Sequence, residues 1–358
     1  MKKIYYIAVV FAILFLAGCG DGIDLPGVNV ETDLNKIPLP DNNVNLEQVE
    51  LKPSTEPMLH EGLHTEEDFQ RIRDKKAAGE EPWVSAYQLL VESQFSQKTA
   101  DTYPTEWIKR GVSGDENYMN AARGATIAYQ QALRWKIEQD DEYAAKAVEN
   151  LNKWVQTCVG VTGNTNLSLA AGLYGYEFAI AGELLRDYEG WDRADFAAFQ
   201  NWLLKVFYPA NDDFLKRHHD TNALHYWANW CLCNIAAKMA IGIVTDRRDI
   251  YNEGIGHLQT GDTNGRLRRA IYHDYAPDYN FAQWQESGRD QGHTLMCVGL
   301  MGVICQLAWS QGDDFFAYDD NLFMRACEYA ACCNYTNETV PYTTYIWQKQ
   351  SQWGYPIP

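Results

Sequence analysis

The chain has 358 residues, of which 46% are apolar and 22% charged, and its 48 acidic against 30 basic side chains leave a formal net charge of −18. This composition excludes a disordered chain, a collagen-like repeat and a basic nucleic-acid-binding protein. Aromatic residues make up 13% of the chain, and such a surplus is used either in core packing or in grooves that bind sugars or peptides.

The first 18 residues have the pattern of an export signal. Lys2 and Lys3 precede an apolar run over residues 4–16, which is too short for a permanent membrane-spanning helix. The Leu-Ala-Gly-Cys sequence that ends at Cys19 resembles the lipobox of bacterial lipoproteins. This resemblance implies cleavage before Cys19, lipidation of its sulfur, and a lipoprotein anchored by that lipid in the periplasm or at the outer membrane. A plain secretory signal is the alternative.

Residues 19–57 are rich in Asp, Asn, Pro and Gly, and they are predicted to form a flexible tether ahead of a folded domain at 58–358. Eight cysteines follow Cys19, and an even number in an exported protein can form disulfides. Most of them lie in apolar helical stretches, where cysteine packs as a small hydrophobic residue. We therefore expect mostly free, buried thiols.

Helical patterns fill the domain. The first helix is predicted to begin near residue 66, because Thr65 is a favourable N-cap ahead of acidic residues. Later helices are predicted at about 82–94, 115–138, 141–158, 166–188, 192–208, 220–245, 247–259, 287–311 and 320–334. No stretch alternates polar and apolar residues convincingly over the length of a strand, so the sequence predicts a nearly all-α protein.

Two kinds of helix are distinguishable. Residues 141–158 and 192–208 each carry a single apolar stripe, whereas residues 167–185 are apolar nearly all round and must be enclosed. Striped outer helices that alternate with enclosed inner ones are typical of an α/α toroid, here an incomplete ring of six to seven helical hairpins. A solenoid of helical repeats is the alternative, but the sequence has no fixed-period repeat.

A polar stripe is predicted where the helix at 220–245 begins. Asn222, His225 and Asn229 are spaced i, i+3 and i+7, so on a helix two amides and an imidazole share one face. Such a face can bind a carboxylate through the amides while the imidazole transfers a proton. The alternative is that these side chains satisfy neighbouring backbone groups at a helix terminus.

Two later segments concentrate polar residues. Residues 266–279 are basic and rich in tyrosine, which suits either an acidic substrate or a solvated loop whose arginines pair with acids. Residues 283–294 are polar and precede an apolar helix, which favours a pocket wall at the helix start. His293 with Asp290 and Glu286 would suit a metal, but no second histidine lies at helical spacing. We therefore expect no metal and no other cofactor.

The segments 63–83, 222–234 and 286–294 resemble the alginate lyase superfamily, and within it the exported alginate and glucuronan lyases of Bacteroidetes with α/α toroid folds. The resemblance extends over about 58–335, and its most specific part is the Glu-Ser-Gly-Arg-Asp-Gln-Gly-His-Thr sequence at 286–294. It implies β-elimination of a 4-linked uronic acid polymer. In two places the chain departs from its relatives: their Asn-Asn-His run is here Asn222-Ala-Leu-His225, and no tyrosine follows Arg289 within the motif.

β-Elimination needs groups that neutralise the substrate carboxylate, a base for the C5 proton and an acid for the O4 leaving group. The resemblance implies histidine and tyrosine for the proton transfers, and we predict His225 and Tyr279, with Arg289 lowering the pKa of Tyr279. Asn222, Asn229, Gln291 and Arg289 are predicted to neutralise the carboxylate. Predicted substrate-binding residues are Asn229, Trp227, Trp230, Tyr226, Gln291, Glu286, His293, Arg269 and Tyr275. Alternatives for the proton transfers are Tyr226, Tyr272, Tyr275 and His293.

Two other functions fit the same residues. A toroidal glycoside hydrolase acting on uronic-acid glycans would use a pair of carboxylates from Glu286, Asp290, Asp274 and Asp278. A non-catalytic surface lipoprotein would bind glycans through its aromatic rings alone. We favour the lyase, acting as a monomer on an acidic polysaccharide and attached to the membrane through the lipid on Cys19.

Overall fold

The computed structural model of the chain describes residues 54–335 and 340–345. The predicted signal peptide, Cys19 and most of the predicted tether lie outside the described residues. Residues 54–57, at the end of that tether, are held against a helix of the domain. The Arg248 guanidinium donates hydrogen bonds to the backbone carbonyls of Glu56 and Pro57 at 2.8 and 2.9 Å.

The described residues fold mainly into α-helices. These are α1 (Glu66–Ala77), α2 (Trp83–Glu92), α3 (Tyr118–Glu138), α4 (Asp141–Thr157), α5 (Leu167–Leu184), α6 (Arg193–Val206), α7 (Tyr208–Arg217), α8 (Ala228–Val244), α9 (Arg248–Thr260), α10 (Leu267–Ala270), α11 (Gln291–Ser310) and α12 (Tyr318–Tyr335). Short 3-10 helices lie at Gln94–Ser96, His218–Asp220 and Gln285–Gly288. The predicted all-α class is confirmed.

Four short strands, which the sequence pattern did not indicate, accompany the helices. They are β1 (Trp107–Arg110), β2 (Gly160–Gly163), β3 (Ile271–Asp274) and β4 (Ala282–Trp284). The first two pair in parallel, and the last two form an antiparallel hairpin in which His273 lies opposite Gln283. Each strand has only three or four residues, too few to establish a period-two pattern in the sequence.

Helix α1 begins where its cap predicts. The Thr65 hydroxyl accepts the Asp68 N–H at 3.2 Å, and the Asp68 carboxylate accepts the Thr65 N–H at 3.0 Å. This reciprocal capping box satisfies two backbone donors that a helix start leaves without partners.

The contrast between striped and enclosed helices is also confirmed. On α4 the buried residues form one face, including Tyr143, Leu151 and Trp154. Nearly every residue of α5 and all residues of α8 are buried. Helix α11 is long and apolar enough to cross a membrane by length and composition, but it packs between α8 and α12, as a core helix does. Enclosed helices inside striped ones form the α/α toroid.

The enclosed helices α5 and α8 run parallel to each other. Near their starts, Gly172 of α5 lies against Cys233 of α8. Near their ends, Arg186, just after α5, donates to the carbonyls of Ile243 and Val244 at 3.2 and 2.9 Å. The N-terminal ends of α5 and α8 therefore lie at the same end of the ring.

The N-terminal segment crosses the opposite end of the ring, because His60 Nδ1 lies 3.4 Å from a carboxylate oxygen of Asp246, just after α8. The Gln311 amide, just after α11, donates to the carbonyls of Leu59 and Glu61 at 3.0 and 2.7 Å. Because α11 ends here, its own N-terminus lies at the far end of the ring, with those of α5 and α8.

The predicted helix over 220–245 is wrong in its first turns, because α8 begins only at Ala228. His218, His219 and Asp220 have positive φ values of 48°, 52° and 60°, a left-handed conformation that no α-helix can contain. Asn222 then uses its side-chain oxygen to accept the Leu224 N–H at 2.8 Å, a local turn that competes with the helix. The sequence pattern also missed α7, whose first turn contains Pro209.

The cysteines of the described residues are mostly enclosed. Cys158, Cys231, Cys233, Cys297 and Cys305 are buried, and burial raises the pKa of the Cys158 thiol to about 11 and that of Cys231 to about 12. Cys158 and Cys231 therefore remain thiols at neutral pH, and no disulfide joins the five buried cysteines, as predicted.

Candidate active site

Two side chains that follow β4 cap the N-terminus of α8. The Gln285 side-chain oxygen accepts the Ala228 N–H at 2.8 Å, and a Glu286 carboxylate oxygen accepts the Asn229 N–H at 3.2 Å. These first N–H groups of a helix have no partner inside it. Glu286 is fully buried, and its negative charge lies at the positive end of the α8 dipole.

Arg289 supplies the positive charge of the site. Its NH1 donates to the second Glu286 oxygen at 3.2 Å, and its guanidinium lies 5.4 Å from the centroid of the Trp227 ring. Its side chain is 15% exposed, so the cation is braced by a carboxylate and an indole in a largely enclosed position.

The structure does not bring Tyr279 to Arg289. Tyr279 is 52% exposed in the turn between β3 and β4, where its ring stacks at 6.5 Å on Phe281. Arg289 instead contacts Glu286, Asp290 and Trp227. The predicted pairing of Arg289 with Tyr279 is therefore not among the contacts of the described residues, where Tyr279 packs on Phe281 and Arg289 on Glu286 and Trp227.

Asp290 and His293 form a hydrogen-bonded pair at the start of α11. One Asp290 oxygen accepts the His293 N–H at 2.7 Å as the N-cap, and the other lies 2.6 Å from His293 Nδ1. Burial opposes ionisation of Asp290, but the hydrogen bonds from His293 prevail and lower its pKa. Asp290 is therefore an anion that accepts a proton from His293 Nδ1.

The predicted polar helical face is not present. Asn222 is exposed and His225 half-buried in the loop before α8, so neither shares a helix with Asn229. The His225 ring packs edge-on at 4.9 Å against Tyr226. Asn229 is buried on α8, and among the described residues its side-chain oxygen has no hydrogen-bond partner.

The predicted sugar-binding rings lie in two environments. Tyr226 and Trp230 are buried and pack on each other at 4.7 Å and on Phe214. His219 joins the same cluster and lies 3.0 Å from the Ser168 hydroxyl at the start of α5. Trp227 lies instead under Arg289, and its indole nitrogen is buried without a hydrogen-bond partner in the described part of the chain.

Arg268 and Arg269 make structural contacts. Arg268 is buried in an ion pair with Asp319, and Arg269 donates to the backbone carbonyl of Asp262. Burial lowers the pKa of Arg269, and the nearby Arg266 lowers it further. At Arg268 the observed role is therefore pairing with an acid, not the capture of substrate.

Three of the four carboxylates proposed for a hydrolase already have ionic partners. Asp274 pairs with Arg325 at 2.5 Å and Glu286 pairs with Arg289, while the pKa of Asp290 is lowered. A hydrolytic acid needs a raised pKa. In residues 54–335 and 340–345, no group of three His, Cys, Asp or Glu side chains is arranged to hold a metal ion.

A contribution that sequence reasoning missed comes from residues 340–345. The Thr343 carbonyl accepts hydrogen bonds from Tyr272 and, at 2.8 Å, from the Gln283 amide. The Tyr275 hydroxyl lies 2.5 Å from the Gln283 side-chain oxygen and 3.1 Å from the Thr343 hydroxyl. These contacts hold the β3–β4 hairpin and the C-terminal segment together beside the start of α11. The remaining predicted residue, Gln291, donates to Asn334 at 2.6 Å.

Comparisons with known proteins agree with this architecture. Alginate lyase A1-III from Sphingomonas species A1 has a TM-score of 0.54 and 13% identity, with 77% of this chain and 79% of that chain covered. A histidine-to-alanine and a tyrosine-to-phenylalanine variant of A1-III, both complexed with a tetrasaccharide, give TM-scores of 0.55 and 0.53 at 12% identity, and cover 77% of this chain and 78% of theirs. At such identities the similarity shows the fold.

The family follows from the sequence. No curated protein matches the chain significantly. The family model described as alginate lyase matches residues 72–338, which is most of the chain and includes every residue of the site described above except Thr343. The chain therefore belongs to the alginate lyase family and is a polysaccharide lyase.

Proposed function

We propose that this enzyme cleaves alginate by β-elimination at the N-terminal ends of α5, α8 and α11. The family match supports the reaction class, and the A1-III variants complexed with a tetrasaccharide support an oligosaccharide ligand in this fold. The observation that carries the proposal is Arg289, a largely enclosed guanidinium between Glu286 and Trp227. A cation in such a position suits the carboxylate of a uronic acid.

In the proposed reaction, Arg289 neutralises the carboxylate at C5 and so makes the C5 proton acidic enough to remove. His293 takes this proton on Nε2, while Asp290 holds the ring and stabilises the imidazolium that forms. The C5–H electron pair becomes the C4–C5 double bond, and the C4–O4 bond breaks with its pair on oxygen. A proton delivered to O4 completes the cleavage.

His225 and Tyr279, which the resemblance suggested for the two proton transfers, are the competing assignment. His225 lies in the loop that leads to Trp227, and its ring contacts the adjacent Tyr226. The Asp290 contact favours His293, because a carboxylate that accepts the Nδ1 proton fixes the tautomer that a base requires.

The test is the ultraviolet absorbance of the conjugated double bond, followed while the enzyme acts on alginate, on glucuronan and on uncharged glycans. We expect absorbance to rise with alginate and not with the uncharged glycans. A rise with glucuronan alone would retain the reaction and replace the substrate. Release of reducing ends without absorbance on any polymer would contradict β-elimination.

Arg289 variants connect the activity to the site. Arg289→Lys retains the charge but loses the two-nitrogen geometry, so we expect a folded protein with a lower kcat/KM. Arg247→Met is the matched control, because Arg247 pairs with Asp249 on the surface, where an ion pair contributes little. Equal rates for Arg289→Lys and the native enzyme would remove Arg289 from the mechanism.

We further propose that the enzyme is an exported lipoprotein, on the support of the lipobox that ends at Cys19. Cys19→Ala should abolish incorporation of labelled fatty acid and release the protein from the membrane fraction. Unchanged labelling in the variant would contradict lipidation at Cys19.

A further inference from the structure

Arg110, the last residue of β1, is a buried cation without an acidic partner. The described residues contain five buried arginines, and the other four each pair with a carboxylate, as Arg134–Glu138, Arg186–Glu183, Arg268–Asp319 and Arg325–Asp274. Arg110 is 4% exposed, and its Nη1 has no hydrogen-bond partner in the described part of the chain. A buried charge without compensation is strongly destabilising, so a fold that keeps one is expected to use it for a ligand.

The Arg110 guanidinium lies against an aromatic stack. It is 4.6 Å from the centroid of the Tyr118 ring, and Tyr118 stacks on Tyr174 of α5 with centroids 6.5 Å apart and ring planes 10° apart. The face of a ring attracts a cation but does not replace an oxygen acceptor for its N–H groups. Tyr118 is only half-buried, so the stack borders solvent. Arg289 on Trp227 has a similar arrangement, but there Glu286 accepts a hydrogen bond from the cation.

Arg110 lies at the end of the ring that carries the site. Strands β1 and β2 are parallel and end opposite each other, and each leads by a short loop into a largely buried helix, β1 into α3 and β2 into α5. The positive ends of both helix dipoles therefore lie beside Arg110. At the start of α5, Ser168 lies 3.0 Å from His219, in the aromatic cluster next to Trp227. Arg110 and Arg289 thus lie at the same end of the ring, on either side of this cluster.

We propose that Arg110, on the Tyr118 ring, is a second carboxylate-binding subsite, which holds a uronic acid of the polymer other than the one whose carboxylate binds Arg289. The inference deepens the proposed function and rests on it. A polyuronate carries a carboxylate on every sugar, so a second cation at this end of the ring meets another sugar of the same chain. That carboxylate enters beside the half-buried Tyr118 ring, accepts the N–H groups of Arg110 and compensates its charge.

This role separates binding from chemistry. Arg110 contacts no reacting bond, so its interaction is equally strong before and during the reaction, and its loss raises KM without lowering kcat. In the free enzyme the cation has no compensating charge, so an apolar side chain in its place should not lower stability. An arginine with a purely structural role would behave in the opposite way, because its removal would lower stability and would affect short and long substrates alike.

The experiment compares Arg110→Met with the native enzyme on alginate oligosaccharides of increasing length. On the shortest ones that are cleaved, we expect equal kcat/KM, because they do not reach Arg110. Above the length that spans Arg110 and Arg289, we expect the KM of the variant to be about 10- to 100-fold higher at unchanged kcat, as for the loss of one charge-assisted contact. Without substrate, the variant should melt at or above the native temperature.

Lys109→Met is the matched control. Lys109 is the adjacent cation on β1, and it pairs with Asp115 at the surface at 2.6 Å, so we expect native kinetics at every length. Native kinetics of Arg110→Met at every length, or a loss of the same size at every length, would overturn the subsite.

A failure of the proposed function is distinguishable from a failure of the subsite. If the native enzyme forms no unsaturated product from any polyuronate, the proposed function fails, and calorimetric titration with the uncleaved alginate oligosaccharides tests the subsite by itself. Weaker binding by Arg110→Met than by Lys109→Met would then retain the subsite, and equal binding would remove it.

Discussion

Glu286 is a fully buried carboxylate at the centre of the site, and three contacts compensate its charge. Arg289 donates to one oxygen at 3.2 Å, the Asn229 N–H donates to the other at 3.2 Å, and the α8 dipole is positive at this end. A buried charge that loses its partner is strongly destabilising. Arg289 therefore contributes to the fold as well as to the proposed reaction, which is why its conservative lysine variant is the informative one.

The Asp290–His293 pair predicts two separable effects. His293→Ala removes the proposed base and should lower kcat/KM by about 10²- to 10⁴-fold. Asp290→Asn keeps an acceptor for the Nδ1 proton but removes the charge that stabilises the imidazolium. We expect a smaller loss, with the acid limb of the pH–rate profile moved to lower pH. Rates of the His293→Ala enzyme close to native, with His225→Ala inactive, would restore His225 as the base.

Glu177, on α5, predicts a pH-dependent change in stability. One of its oxygens is buried without a hydrogen-bond partner in the described residues, and burial raises its pKa from 4.5 to about 8. The folded state thus holds a proton that the unfolded state loses above pH 4.5. Stability is consequently lost as the pH rises from 4.5 to 8, at a rate of up to roughly 1.4 kcal/mol per pH unit.

Glu177→Gln removes this titration. The variant should melt at a higher temperature than the native protein at pH 8, and the difference should shrink towards pH 5. Thermal unfolding across this range is the measurement. A difference in Tm that does not depend on pH would contradict a neutral, enclosed Glu177.

At the scale of elements, the close approach of α5 and α8 positions the site. A Cβ at Gly172 would lie 2.5 Å from Cys233 Sγ and 3.0 Å from the Asn234 backbone nitrogen. Such contacts are too short for any side chain, so glycine allows the two helices to touch. Their N-terminal ends are thereby held together beside His219 and Trp227.

Gly172→Ala should therefore destabilise the protein by about 1–3 kcal/mol, since a packed interface resists added volume. Gly256→Ala, on α9, is the control, because nothing lies within 4 Å of its added Cβ. There alanine should stabilise by about 0.5–1 kcal/mol through its higher helix propensity. Urea unfolding gives both values, and equal free energies of unfolding for the two variants would exclude tight packing at Gly172.

The sequence predicts most helices to within a few residues because their cues are local. Thr65 caps α1 by itself, and the apolar stripe of α4 is visible without a partner. The start of α8 is different, because Gln285 and Glu286 cap it from 57 residues away. The helical spacing of Asn222 and His225 contains no information about that distant cap. The sequence therefore could not predict that these two residues lie in a loop. Asn229, inside the helix, was placed correctly.

At the scale of the whole molecule, a net charge of −18 is compatible with an anionic substrate because positive charge is concentrated at the site. The enclosed helices present their positive ends to the site, and Arg289 adds a full charge there. The sequence pointed to this segment through its motif at 286–294. It did not reveal that Thr343 accepts a hydrogen bond from Gln283 or that the Tyr345 ring packs 5.9 Å from Trp227, because only the fold brings the C-terminal segment there.

The most direct test of the account is the fate of solvent oxygen during cleavage of alginate. β-Elimination adds no water, whereas hydrolysis places one solvent oxygen in each product pair. We expect digestion in heavy-oxygen water to yield unsaturated oligosaccharides whose masses show no label from cleavage, once exchange at the reducing end has been corrected with a preformed oligosaccharide. Saturated products that carry solvent oxygen from the cleavage itself would contradict the lyase mechanism.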